Sequence, residues 1–437
     1  MMGVMASEES RTIASEQIRT PRARTSTGPA TRAWATRLLM VGIVLTALNL
    51  RPAITSLGAL LEEVRDGLGM SGSVAGVLTS VPPLCFAVFG VTAPRLARRF
   101  GPAAVICVGM VAIAAGLLVR PYTHSTAGFL AASALTLMGI AVSNVLMPVI
   151  VKRWFPDRVG PMTGLYSMAL ALGTAAAAAV TVPMTEALGG GWQSGLAIWS
   201  VLAAMAVLPW IPFVRQRGAD LTEEAAAPRE PARREPARGD APAVRIARSR
   251  TAWALAVYFG LQATGAYITM GWMAQIFRDA GVHAGTAGLL LAVTMVMGVP
   301  LAFVIPRLAT RLPHQGPIVL ALGACGLVGY GGLYLAPAAG SWAWAVLLGV
   351  SNCSFPLALT MVGMRARTSA GVAQLSGFAQ STGYLISIPG PLLVGVLYQH
   401  SGGWSLPIAL MTALLVPQMV VGVLAGRDRT VEDEAAG

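Results

Sequence analysis

The sequence predicts an all-α polytopic membrane protein, with twelve transmembrane helices in two pseudo-repeated six-helix bundles. Three observations carry that expectation: apolar runs of spanning length recur along the chain, basic residues crowd alternate loops, and the second half repeats landmarks of the first. Of 437 residues, 55% are hydrophobic and 11% charged, and the mean hydropathy is +0.65. Soluble domains carry about 25% charged residues, so a soluble fold is excluded.

A helix needs about 20 mostly apolar residues to cross hydrocarbon. The first half supplies such runs at 38–61, 74–94, 102–119, 126–150, 161–184 and 193–214. The second supplies 251–276, 285–305, 316–336, 341–363, 371–397 and 404–425. Backbone polar groups find no water in lipid, so runs of this length close their hydrogen bonds internally as helices. The alternating pattern of an outer-membrane barrel is missing. The first run is too long for the apolar core of a cleaved signal and follows a polar stretch of 37 residues. Residues 1–37, rich in Ser, Thr, Ala and Arg, read as a disordered cytoplasmic arm. Residues 215–250 contain REPAR twice in tandem, at 229–233 and 234–238, and read as a solvated cytoplasmic linker. The linker separates an N-terminal bundle, 38–214, from a C-terminal bundle, 251–425, and residues 426–437 form a cytoplasmic tail.

Basic residues fix the orientation. With the N-terminus inside, cytoplasmic segments hold 27 of the 31 Lys and Arg residues; Arg65, Arg120 and Arg278 fall in opposite loops, and Arg51 lies within a span. That asymmetry places both termini in the cytoplasm of a multi-pass plasma-membrane protein. It also explains the net charge of +12. No aromatic-and-basic pattern accompanies the charge, so the partner is the lipid bilayer with its anionic headgroups rather than nucleic acid.

The halves align at a nearly constant offset. LNLRPAITSLGALLEEVRDGLG from Leu48 matches LQATGAYITMGWMAQIFRDAGV from Leu261, which sets Asn49 on Gln262, Gly58 on Gly271 and Arg65-Asp66 on Arg278-Asp279. PRLARRFG at Pro94 matches PRLATRLP at Pro306, and Asn144-x-x-x-Pro148 matches Asn352-x-x-x-Pro356. GGGW ending at Trp192 matches SGGW ending at Trp404. Two parallel six-span halves facing each other across a midplane site are the layout of the major facilitator superfamily. LNLRPAITSLGALLEEVRDGLGMS, VPPLCFAVFGVTAPRLARRFG and NVLMPVIVKRWFPDRVGPMTGLYSMALALG resemble the cyanate permease and 2-nitroimidazole exporter family within it, over roughly residues 38–425. The resemblance implies secondary transport of a small, often anionic or weakly acidic solute, by a protein expected to be monomeric.

Two superfamily patterns are incomplete. In the loop pattern G-x-x-x-(D/E)-(R/K)-x-G-(R/K), Arg98 takes the acidic position and Pro102 the last basic one, so Arg98 and Arg99 read as loop anchors rather than a charge relay. In the antiporter pattern of the fifth span, Gly164 and Gly173 keep their spacing, but Ala177-Ala178 replace Gly-Pro.

The candidate site centres on Arg51. A charge at the middle of a helix costs roughly 2.5–3.5 kcal/mol on insertion scales and marks function by default. One reading has Arg51 hold helix carbonyls, with Pro52 freeing one nearby. The other has its planar guanidinium receive an anionic substrate. The span interiors contain no Asp or Glu, and the repeat puts Thr264 opposite Arg51, both of which favour the second. Further substrate-binding candidates are Asn49, Gln262, Tyr267, Asn144, Asn352, Tyr166 and Gln380, with Tyr384 beside them. Pro52 joins Arg98 and Arg99 as a gating or loop candidate, and Pro148, Pro300, Pro356 and Pro389 are candidate kinks.

Other chemistry is absent from the sequence. Cys85, Cys107, Cys325 and Cys353 fall singly in four spans, the four histidines lie in or beside loops, and no phosphate loop appears. Neither metal nor cofactor is expected, and an enzyme is excluded for want of a nucleophile–base pair. Glu62 and Glu63 read as ordinary solvated helix ends. Three functions remain: a transporter of a cyanate-like anion centred on Arg51, an exporter of azole-like amphiphiles using Trp272, Tyr267 and Tyr166, and a non-transporting membrane sensor or scaffold.

Overall fold

The structure, a computed structural model, describes residues 29–214 and 246–436, so residues 1–28 of the arm and 215–245 of the linker lie outside it. The first span is the helix Pro29–Asn49 continued by Pro52–Ala59, with a short amphipathic helix Leu61–Leu68 at its end. Its start at Pro29 lies inside the stretch expected to be arm. Spans 2 to 5 are Gly72–Phe100, Pro102–Val119, Thr126–Trp154 and Val159–Ala187, and span 6 is Trp192–Ala197 with Trp199–Val207. In the second half span 7 is Arg250–Asp279, span 8 is Ala284–Val296 with Gly298–Arg311, and span 9 is Gly316–Leu335. Spans 10, 11 and 12 are Ser341–Asn352 with Ser354–Met364, Ser369–Ser387 with Pro389–Ser401, and Ser405–Ala425. The described residues are helices and connections, without a strand.

Eleven of these spans are long and apolar enough to cross a membrane on their own. Span 7 is the exception, because Gln262, Thr264, Thr269 and Gln275 dilute it. All four are buried against neighbouring helices, so the polarity that lowers its hydropathy never meets lipid. Tight turns join the spans. Ser71, Ser125, Ser249 and Thr368 cap spans 2, 4, 7 and 11 by accepting a hydrogen bond from a first-turn N–H. Gly69, Gly101 and Gly402 take positive φ at helix ends, where a side chain would be strained.

Three of the four candidate kink prolines sit in the first turn after a break. Pro300, Pro356 and Pro389 follow the interruptions at Met297, Cys353 and Ile388. There the missing N–H costs no ladder bond. Pro148 instead lies inside one continuous helix.

Hydrocarbon gives helices no hydrophobic reason to associate, so close packing of small residues holds them. Spans 3 and 4 cross where Gly109 meets Gly139 backbone to backbone and Gly116 meets Ala132 and Thr136. Between the bundles, Gly58 of span 1 abuts the Met270 carbonyl of span 7, Gly76 of span 2 abuts Leu392 of span 11, and Gly288 of span 8 abuts the Ala178 carbonyl of span 5.

The last helix, Val431–Ala436, folds back onto the C-terminal bundle with Val431 fully buried. Glu434 accepts hydrogen bonds from Ser249 and Thr251 at the start of span 7, and Glu432 accepts from the Arg367 and Thr368 backbone at the start of span 11. At the end of span 10, buried Arg365 donates to the Ala425 and Gly426 carbonyls at 3.0 and 2.8 Å and to Gln315, and pairs with Asp428 at 3.6 Å. Part of the expected tail is therefore a clamp over spans 7, 9, 10, 11 and 12.

Gly139→Leu should lower the stability of the folded protein by about 1–3 kcal/mol, because the new side chain meets the Gly109 carbonyl and Ile113. A fall in apparent melting temperature, read by size-exclusion chromatography after heating, checks it; an unchanged melting curve would show that spans 3 and 4 separate freely.

Candidate functional site

Arg51 lies in the break of span 1, between Asn49 and Pro52, with φ −127° and ψ −28°. Pro52 starts the next helical segment at its first position, and the Arg51 carbonyl accepts from the Ile54 and Thr55 N–H groups at 3.0 and 3.1 Å. Pro52 has no N–H to close onto the Leu48 carbonyl, and Gly173 of span 5 packs directly against that carbonyl. The break thus turns a side chain out of a continuous helix at the seam of the bundles.

The half-buried guanidinium is surrounded by aromatic rings from both halves. Its carbon lies 5.8 Å from the centroid of Phe86 on span 2. Phe86 stacks on Tyr384 of span 11 at 5.0 Å, and Tyr384 meets Phe259 of span 7 edge-on at 5.2 Å. Tyr267 of span 7 stands 6.5 Å from both Phe86 and Tyr384, with its hydroxyl beside Arg51. That hydroxyl is buried and has no partner of hydrogen-bond geometry. Arg51 takes part in no ion pair among the described residues. The arrangement is a cation over the Phe86 ring, with a buried phenol next to it.

The structure brings Arg51, Tyr267 and Tyr384 together, and the other candidates take the following places. Asn49 is buried and donates to the Leu45 and Leu202 carbonyls at 2.8 and 3.2 Å, which ties span 1 to span 6. Its amide is committed to those bonds, as helix-to-helix glue. Gln262 is buried on span 7 with its carbonyl oxygen unpartnered. Asn144 and Asn352 are half-buried and form no side-chain hydrogen bond among the described residues, and Asn352 ends the first segment of span 10. Gln380 donates to Ser376, one turn back on span 11. Tyr166 packs at the edge of the main core. Arg98 and Arg99 are exposed, and Arg99 stacks over Phe100 at 5.1 Å. Trp272 is fully buried at the seam, where it donates to Thr79 of span 2 at 3.2 Å.

Thr79 and Trp272 belong to a closed end that the sequence reading missed. Arg278 of span 7 pairs with Glu62 at 2.9 Å and Glu63 at 3.0 Å, both just beyond span 1. Asp279 accepts from Gln275, Tyr398 and Trp404 at 2.7, 2.8 and 2.7 Å. The two acids are therefore interdomain ties, not free solvated ends. Alignment of Arg65-Asp66 with Arg278-Asp279 was the available signal. At the opposite, basic end, a shallow open groove of about 440 Å³ runs along Pro161, Gly164 and Met168 of span 5, with Phe303 of span 8 packed against Gly164.

Arg120 lies where expected, in the short turn Arg120–Tyr122 between spans 3 and 4, but its side chain is only 1% exposed. One of its nitrogens donates to the Ala53 carbonyl at 3.1 Å, and its carbon lies 5.8 Å from the Phe129 centroid.

Two opposed helical bundles, tied at one end by ion pairs and holding a half-buried cation at their seam, have the layout of a membrane transporter. The chain belongs to the Major Facilitator Superfamily, whose family model matches residues 39–385. It is 35% identical to the uncharacterized transporter YycB of Bacillus subtilis (strain 168) over 398 residues, 90% of this chain and 94% of that one. It is 31% identical to the 2-nitroimidazole transporter of Escherichia coli (strain K12), over 90% of this chain and 96% of that protein. Identity to the cyanate transport protein CynX of the same strain is 28%, over 88% of this chain and 96% of that protein. Among solved structures, the nucleoside transporter NupG superposes with a TM-score of 0.66 at 13% identity, covering 89% of this chain and 98% of that one.

Arg278→Gln removes both ion pairs at the closed end. The pairs are partly solvated and together hold it by about 1 kcal/mol, so the open form should rise about fivefold. With the four native cysteines replaced, Thr79→Cys should react with a maleimide about fivefold faster in the Arg278→Gln background. Equal rates would show that the glycine seam alone closes this end.

Proposed function

We propose that the protein is a plasma-membrane secondary transporter that carries a small anion or weak acid, cyanate-like in size, with Arg51 as the substrate's counter-charge. The observation that carries this reading is a half-buried guanidinium at the seam, over the Phe86 ring and, among the described residues, in no ion pair. A planar guanidinium offers paired donors to an anion, and the Tyr267 hydroxyl adds one more. The names of two relatives, a cyanate transport protein and a 2-nitroimidazole transporter, support a small planar solute. The basic end faces the cytoplasm, from the distribution of Lys and Arg, and the Glu62–Arg278 end faces outward.

A second reading is export of a neutral azole. The stacked pair Phe86–Tyr384 with Tyr267 beside it favours this one, since a planar heterocycle can slide between such rings. Arg51 would then be a structural tie. The two readings differ in what the charge is for.

Substrate counterflow in proteoliposomes separates them. Cyanate exchange should fall at least about tenfold in Arg51→Gln, the cost of one charge-assisted hydrogen bond at the site. A neutral 2-nitroimidazole that exchanges equally in wild type and variant would instead make Arg51 structural and give the site to the rings. Exchange of neither solute, nor of competing weak acids, would favour a protein that kept the fold as a sensor or scaffold.

A further inference from the structure

Arg120 differs from the other deeply buried arginine among the described residues. Arg365 shows how a buried structural arginine is satisfied here: two carbonyls, one amide oxygen and one carboxylate surround it. Arg120 is as deeply buried, yet it has the single Ala53 carbonyl, and its other two guanidinium-side nitrogens have no acceptor. The Ser133 hydroxyl is likewise buried without a partner. Arg120 and Ser133 line one small, largely closed cavity of about 10 Å³, with Thr79, Gly58, Tyr267 and Gly271 on its other walls. That volume holds one water at most.

The cavity's position gives it meaning. It crosses the seam, with Gly58 and Thr79 from the first bundle and Tyr267 and Gly271 from the second. It lies between Arg51, whose neighbour Tyr267 forms one wall, and the ion pairs of Glu62, Glu63 and Arg278. Walls from both bundles separate when that end opens, so the cavity is the collapsed outer half of the path. An unpaired buried cation with spare donors is expensive, and opening the seam relieves it by admitting an anion.

We infer that Arg120, with the Ser133 hydroxyl, forms a second anion-binding site in the outer half of the path, occupied by the substrate when the Glu62–Arg278 end is open. The inference rests on the anion reading of Arg51. The ligand class is a small monovalent anion able to accept from a guanidinium edge and a hydroxyl together. Tyr267 is shared by both sites, so an anion passing from Arg120 to Arg51 keeps a donor beside it.

The test measures cyanate exchange from each face separately, in right-side-out and everted vesicles. Arg120→Gln should raise the half-saturating concentration about tenfold at the outer face and less than about twofold at the inner face. Ser133→Ala leaves the Ala53 bond intact and should raise the outer value about threefold, while Arg120→Lys keeps the charge and should stay nearer wild type than Arg120→Gln. Size-exclusion profiles confirm folding, and Ser133→Ala decides the case should Arg120→Gln fail to assemble. Unchanged outer half-saturation in both Arg120→Gln and Ser133→Ala, or equal changes at both faces, would make Arg120 a tie for span 1 and overturn the inference. Arg51→Gln in the same vesicles keeps the two failures apart. If it exchanges cyanate like wild type while Arg120→Gln does not, the Arg51 reading fails alone. A wild type that exchanges nitroimidazole but no cyanate overturns both.

Discussion

A charge in hydrocarbon needs an internal partner, and the interiors of the spans offer no carboxylate to provide one. The arrangement of polar groups follows from that constraint. Arg365 is satisfied by helix-end carbonyls and by a folded-back terminal segment. Arg51 is placed against ring faces at a helix break. Arg120 receives one carbonyl and a ring, leaves two nitrogens without an acceptor, and lines a small cavity at the seam. The carboxylates that tie the bundles, Glu62 and Glu63, stand beyond the end of span 1, where desolvation is cheap. Acids close the door, and cations are left inside.

What holds two bundles together must also let them part. A seam of interdigitated large side chains would resist separation, because each knob has to leave its hole. Here the contacts are glycine against carbonyl: Gly58 on Met270, Gly288 on Ala178, Gly395 on Gly72. Such surfaces are flat, so they separate without repacking a core. The ion pairs and the Trp272–Thr79 bond then supply the bias that a flat seam lacks, and they sit at one end only. Span breaks at Asn49–Pro52 and Ile388 put local freedom near the middle of two helices that line the seam.

Much of the architecture was legible because lipid leaves a chain few options. Run length, arginine asymmetry and the internal repeat each read directly from residues, and Arg51 stood out as a charge in an apolar run. The site was legible only in part, since a sequence shows which polar residues enter the membrane but not which carbonyl each one meets. Asn49 looked like a ligand group and is consumed by Leu45 and Leu202. Arg120 does lie in the turn after Val119, but nothing in the residues shows that this turn buries its side chain. Glu62 and Glu63 looked solvated because their partner lies more than two hundred residues away. Phe86 was not singled out at all: an aromatic in an apolar span carries no signal until a cation appears over its face.

On the proposed reading, the same constraint shapes the transport cycle. Alternating access passes through a state closed at both ends, in which whatever occupies the path is shut away from water. With the site empty, that state encloses Arg51 and Arg120 with no counter-charge, at an effective cost of several kcal/mol per ion. With a monovalent anion bound, it encloses a near-neutral pair, and the penalty largely disappears. The loaded protein therefore crosses more readily than the empty one, in either direction. A carrier built this way exchanges one anion for another much faster than it returns empty. Direction is then set by the anions available on each side and by the membrane potential, about 2.3 kcal/mol per charge per 100 mV, and needs no titrating acid in the spans.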